Sequence, residues 1–138
     1  MKITITIEMD EKEFKNIETK ETEQKTEKTV SQYARFFDET CPSWSKNSEA
    51  NLMFLKLQQQ FANDMLKARG VLYLNEVYAM LGIPRTKAGQ VVGWKYDLEN
   101  PSGDNYVDFG IFDEKNKSFV NGFERSILLD FNVDGIII

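Results

Sequence analysis

Apolar and polar residues alternate at the start of the chain. In "KITITIEM", Ile3, Ile5 and Ile7 alternate with Thr4, Thr6 and Glu8, the period-two pattern of a strand with one buried face. The next stretch, "DEKEFKNIETKETEQKTEKT", has only Phe14 and Ile17 to bury. It reads as a short helical start that gives way to a solvated tether, with no structure assigned to residues 19–29.

From Val30 the period lengthens. Val30, Tyr33, Ala34 and Phe37 in "VSQYARFFD" have helical spacing, which predicts a short helix over residues 30–38. "ETCPSWSKNS" is a loop whose Ser48 is placed to cap the next helix. That helix, "EANLMFLKLQQQFANDMLKARG", carries Phe54, Leu57, Phe61, Met65 and Ala68 on one stripe at spacings of 3, 4, 4 and 3. Leu55, Ala62 and Leu66 widen the stripe. Lys67 and Arg69 suit the negative end of the helix dipole, and Gly70 is the stop. A further helix in "LYLNEVYAMLG" sets Leu74, Val77, Tyr78 and Leu81 inward, closed by Gly82 and Pro84.

After "IPRTKAGQ" the period returns to two. "VVGWKY", "NYVDFGIF", "SFVNGF", "SILLDFNV" and "GIII" read as strands of an antiparallel meander. The expected fold class is α+β: an N-terminal strand, two or three helices, then a meander of four to five strands packed on the helices. The expected division is an N-terminal strand and polar tether over 1–29 and one α+β domain over 30–138. Within that domain the helices fall at about 30–82 and the meander at about 91–138.

Asp130, Asn132, Asp134 and Gly135 spell D-x-N-x-D-G, the opening of a calcium loop. That loop requires a bidentate Glu at its twelfth position, which would be residue 141, and the chain given stops at Ile138. Leu129, Phe131 and Val133 alternate with the three polar residues, as a half-buried strand requires. The metal reading is therefore set aside for a hairpin, in which Asp134-Gly135 is the turn and Ile136–Ile138 pairs back as an edge strand.

Composition narrows the chemistry. No histidine is present, so neither a Ser–His nor a Cys–His nucleophile can be built from this chain, and Cys41 is the only cysteine. One cysteine without histidine cannot hold a structural zinc. No cofactor is expected. The N-terminus lacks a signal-peptide pattern and no run is long and apolar enough to span a bilayer, so a cytoplasmic protein without a membrane partner is expected. The net charge of −5 is uneven: −2 over residues 1–30, +3 over 31–96 and −6 over 97–138. Acidity of this kind argues against direct nucleic-acid binding, which needs a concentrated basic footprint.

Asp104, Asp108, Asp113 and Glu114 invite acid/base or metal chemistry. Strand alternation puts Asp108 beside Tyr106 and Gly110, opposite Val107, Phe109 and Ile111. Asp104 and Asp113 then fall at or beyond the strand ends, where turn formation accounts for them. Arg85 and Lys87 follow a helix end, where the dipole disfavours a phosphate, and read as a surface loop. Trp94 is a core residue on an alternating strand. Trp44, in a Pro-containing loop, is a candidate interface anchor. The expected partner-binding set is Asp104, Asp108, Asp113, Glu114 and Trp44, with no catalytic residue.

The stretch from "QQQFANDMLKARGVLYLNEVYAMLGIPRTKAGQVVGW" through "GDNYVDFGIFDEKNKSFVNGFERSILLDFNVDG" resembles the C-terminal region of an uncharacterised family. That family is encoded by phages and integrative elements of Gram-positive, Firmicutes-type bacteria. The resemblance covers about residues 50–138, and "FVNGFERSILLDFNVDG" is its most specific piece. Longer relatives carry an apolar N-terminal helix. This chain has "MKITITIEM" and a polar tether there, so membrane attachment is not carried over. The resemblance implies a genetic context and no mechanism.

Together these features lead to the expectation of a non-catalytic interaction protein of a phage or mobile element. Its partner would be a host or phage protein, and a host defence or nucleic-acid-processing factor such as a CRISPR nuclease fits best. Inhibition of this anti-CRISPR kind would work partly by acidic surface mimicry. The alternatives are an accessory of particle assembly or element transfer, and a carboxylate-based hydrolase, for which no second motif at fixed spacing is present. Either a monomer or a dimer through the C-terminal edge strand is compatible with the pattern.

Overall fold

Asn47, not Ser48, opens the long helix: its side-chain oxygen accepts the Ala50 N–H at 3.0 Å. The computed structural model describes residues 30–138, and the expected N-terminal strand and polar tether over 1–29 lie outside them. Helix α1 runs Ser48–Arg69 and ends on Gly70, whose φ of 83° is the left-handed cap conformation and whose N–H returns to Leu66 O. Strand β2 (Val71–Tyr73) follows at once, then α2 (Leu74–Leu81), with Leu74, Val77, Tyr78 and Leu81 all fully buried as their spacing predicts.

Among the described residues there are three helices and five strands, all strand pairs antiparallel, so the α+β class stands. β1 (Arg35–Phe37) pairs with β4 (Ile127–Leu129), matching Phe37 to Ile127. β3 (Val92–Lys95) lies between β2 and β5 (Gly135–Ile136) in a second sheet. α3 is a short helix over Lys117–Val120. Ser31–Ile138 fold around one core that includes Phe37, Leu55, Leu66, Tyr78, Trp94, Phe109 and Phe131.

Several local expectations are corrected. Residues 30–38 form a turn and β1 rather than a helix. The Ser31 hydroxyl takes the Tyr33 N–H at 2.9 Å, a local bond that competes with helix formation, and Phe37 then stacks on Phe54 at 5.5 Å. "SFVNGF" holds α3 and not a strand, a known ambiguity for a short apolar run. The C-terminal strands are shared between two sheets instead of forming one meander. Asp134-Gly135 is no hairpin turn: the chain runs on from β4, and β5 pairs with β3, setting Ile136 opposite Val92. β5 does lie at a sheet edge, with Ile136 exposed.

The predicted seam of α1 is also corrected. The inward face is Asn51, Leu55, Ala62 and Leu66. Leu57 and Phe61 are 50% and 47% exposed and Ala68 is exposed, while Phe54 and Met65 are half-buried. The stripe at 3, 4, 4, 3 spacing therefore flanks the core face, about a third of a turn from it at 100° per residue, with Phe54 and Met65 still packed on the core and Leu57, Phe61 and Ala68 exposed.

Candidate functional site

The segment 106–111 alternates as predicted, with Val107, Phe109 and Ile111 buried and Tyr106 exposed, yet it has no strand beside it. Side-chain amides take the place of one. Asn63 on α1 accepts the Val107 N–H at 2.8 Å and donates to Val107 O at 2.9 Å, while Gln59 accepts the Phe109 N–H at 2.8 Å. A carboxamide offers the same donor and acceptor pair as a peptide group, so one asparagine serves as a rung of ladder. The device recurs: Asn51 clasps the N–H and C=O of Ser45, and Asn75 those of Thr86. On the opposite edge Asn132 uses all four of its hydrogen-bonding positions. Its Oδ1 accepts from Trp94 Nε1 (2.8 Å) and Asp108 N–H (2.7 Å), and its Nδ2 donates to Asp104 (3.0 Å) and Tyr106 O (3.0 Å).

Between α1 and this clasped segment lies an open cleft of about 600 Å³. Gln60 and Lys67 line the helix side; Asp108, Phe112 and Asp113 line the other. Tyr106 and Phe112, 49% and 62% exposed, also line it. Exposed aromatic rings beside carboxylates can stack on apolar or cationic groups and fix their orientation by charge.

Two of the expected partner-binding residues meet in this cleft. Asp108 holds the Gly110 N–H at 2.8 Å through Oδ1, and Asp113 lies 3.2 Å from Lys115. The others lie apart from the cleft lining. Asp104 is tied to Asn132, Glu114 is exposed and lies 3.5 Å from Lys117, and Trp44 is half-buried with its indole N–H on Arg125 O at 2.8 Å. Trp94 is fully buried. Of the D-x-N-x-D residues, Asp130 lies 3.8 Å from Lys115, Asn132 makes the four bonds above, and Asp134 accepts the Lys95 N–H at 3.0 Å. Among the described residues no three His, Cys, Asp or Glu side chains are grouped to hold a metal, and no helix is long and apolar enough to cross a membrane.

Sequence reading missed Gln59, Asn63, Tyr106 and Phe112. A signal existed for Asn63: asparagine is a poor mid-helix residue because its side chain competes for backbone hydrogen bonds, and this one bonds both back to Gln59 O and across to Val107.

Burial pushes the Asp134 carboxyl above the ordinary carboxylate range; the Lys95 amide opposes this and the charge of Asp104 adds to it. In the window between the ordinary value of about 4 and the raised one, the folded chain binds more protons than the unfolded chain. Stability from this group therefore rises as pH falls through that window. Asp134→Asn keeps an acceptor for Lys95 and should lose this rise, so the stability of wild type minus variant should grow on acidification from pH 7. Urea unfolding of both proteins across the window tests it, and a constant difference would refute it.

The fold and cleft define an α+β protein with a clasped surface segment beside its long helix. The chain belongs to a family of unknown function (DUF6353), which it matches over residues 3–138. The match extends past the stretch that carries the resemblance and into the polar N-terminal region. No curated protein and no solved structure matches the chain.

Proposed function

We propose that the protein is a non-catalytic interaction protein that holds a partner protein in the cleft between α1 and residues 106–113. The observation that carries this reading is the exposed pair Tyr106 and Phe112 beside Asp108 and Asp113. Large aromatic side chains in open concavities are typical binding hot spots. The sequence resemblance supports a phage or mobile-element setting, and with it a host defence or nucleic-acid-processing partner. Broad acidic mimicry is the lesser part of the binding. Three carboxylates of the acidic third are tied up within the fold: Asp104 on Asn132, Asp130 beside Lys115 and Asp134 on the Lys95 amide. Local contacts in the cleft are the larger part.

The test is capture of partners by the tagged protein from lysate of a Gram-positive host with active defence systems. Wild type is compared with Tyr106→Ala/Phe112→Ala and with Asp108→Lys. The double variant is expected to weaken capture of the same partner at least about tenfold, a hot-spot loss of about 1.4 kcal/mol or more. Asp108→Lys should weaken it most at low salt. Undiminished capture by both variants would remove the cleft from the interface. Capture of only particle or envelope proteins would favour an assembly role.

A further inference from the structure

We propose that the cleft between α1 and residues 106–113 receives an arginine side chain of the partner, with its guanidinium on the Asp108 carboxylate and its flat face against the Tyr106 ring. This inference rests on the reading of the cleft as the partner site and names the group that enters it.

Three charged side chains line the cleft: Lys67, Asp108 and Asp113. Asp113 has its counter-charge in Lys115, 3.2 Å away. Asp108 is half-buried and forms no ion pair among the described residues. Its Oδ1 accepts the Gly110 N–H at 2.8 Å, which fixes the carboxylate, and among the described residues Oδ2 accepts no hydrogen bond. A carboxylate already partly withdrawn from water and lacking a counter-charge gains most from a cation that brings its own donors.

Lys67 does not supply that charge, and the clasp shows why. Asn63 bonds Val107 and Gln59 bonds Phe109, so one turn of α1, about 6 Å, keeps pace with two residues of extended chain, about 7 Å, running the other way. One more turn sets Lys67 level with residue 105, about 10 Å along the segment from Asp108. The helix residue in the lining that stands nearly level with Asp108 is Gln60. Gln60 gives its Nε2 to Asp64 at 3.1 Å, which leaves Oε1 as an acceptor. At the level of Asp108 the cleft therefore offers acceptors on both sides and no cation.

The rings decide which cation fits. Tyr106 is two residues from Asp108 on the same face of the segment and 49% exposed. A guanidinium is planar, so it can lie on that ring and still direct N–H groups at Asp108 and Gln60, which a compact ammonium cannot do together. Phe112, also exposed in the lining, suits the apolar stem of the same side chain.

Gly110 supplies the reporter. Its N–H is bonded to the Asp108 carboxylate, so its amide NMR resonance moves when that carboxylate is engaged. The probe is a blocked Gly-Arg-Gly tripeptide, compared with the same peptide carrying citrulline or lysine. Titration up to about 20 mM should shift the Gly110 amide towards saturation with arginine. Citrulline, uncharged and of nearly the same shape, should not shift it, and lysine should bind at least about threefold more weakly. Asp108→Asn keeps an oxygen for the Gly110 N–H while removing the charge, and Tyr106→Ala removes the ring. Each should weaken the arginine peptide about fivefold or more.

No arginine-dependent shift, an equal response to citrulline, or full binding to Asp108→Asn overturns the inference. Lysine binding as well as arginine overturns it too, because the planar contact would then count for nothing. The reading of the cleft fails separately. It falls if capture from lysate survives Tyr106→Ala/Phe112→Ala, whereas capture lost in that variant but kept in Asp108→Asn retains the interface and overturns the arginine alone.

Discussion

Gly93→Ala is expected to leave the protein unfolded, or to cost more than about 4 kcal/mol, a large part of a small domain's stability. A Cβ at this position would stand 2.1 Å from Leu72 O and 2.8 Å from Tyr73 Cα, and both are backbone atoms of β2. No rotamer change can relieve a clash with backbone. β2 itself would have to move, and it has little freedom: it is three residues long, joined directly to the α1 cap at Gly70 and to the first residue of α2. Displacing it would dislodge the fully buried Leu72 and break the pairing of Leu72 with Trp94. Val92→Ala on the same strand is the comparison, since it empties space at a buried position instead of filling it. It should remain folded with a smaller loss. Far-ultraviolet circular dichroism and urea unfolding of the two variants check this, and a Gly93→Ala protein as stable as Val92→Ala would refute it.

What sequence could and could not convey follows from which partner satisfies each backbone group. Period alone located α1 and α2, and it correctly sorted Val107, Phe109 and Ile111 from Tyr106, because burial alternates wherever the backbone is extended. Period says nothing of what lies beside an extended segment. Residues 106–111 read as a strand in a meander, yet their neighbours are Asn63 and Gln59 on one side and Asn132 on the other, and such pairing leaves no local mark. The same blindness turned Asp134-Gly135 into a hairpin: a Gly-containing turn signal between apolar runs does not exclude a chain that runs on to a different sheet. The seam of α1 misled for another reason. The helix has a second apolar stripe beside its core face, and the more regular spacing belongs to that flanking stripe, of which only Leu57, Phe61 and Ala68 are exposed. The cleft was legible only through Asp108 and Asp113, because its aromatic residues, Tyr106 and Phe112, look like ordinary strand residues until their exposure is known.

Asn132→Leu is expected to cost about 3 kcal/mol, because a side chain of similar shape without polar atoms strands two donors at once. Trp94 Nε1 loses its acceptor inside a fully buried indole environment, and the Asp108 N–H loses its acceptor beside the buried Val107 and Phe109. Each stranded buried donor costs about 1–3 kcal/mol, and the freed acceptors Tyr106 O and Asp104 add little because water reaches them. Asn132→Asp separates the two halves of the network. It restores the acceptor for Trp94 and Asp108 but removes the donor that Asp104 uses, and it sets a second carboxylate against Asp104. Like charges so close raise the proton affinity of the pair, so this variant should lie between wild type and Asn132→Leu at pH 7 and regain stability relative to wild type as the pH falls toward 4. Urea unfolding of the three proteins at both pH values decides it. Equal losses for the leucine and aspartate variants at every pH would mean that Asn132 acts by packing alone. The same network positions Asp108 and Tyr106 at the cleft, so loss of cleft binding in Asn132→Leu under conditions where it remains folded would tie the clasp to the function proposed above.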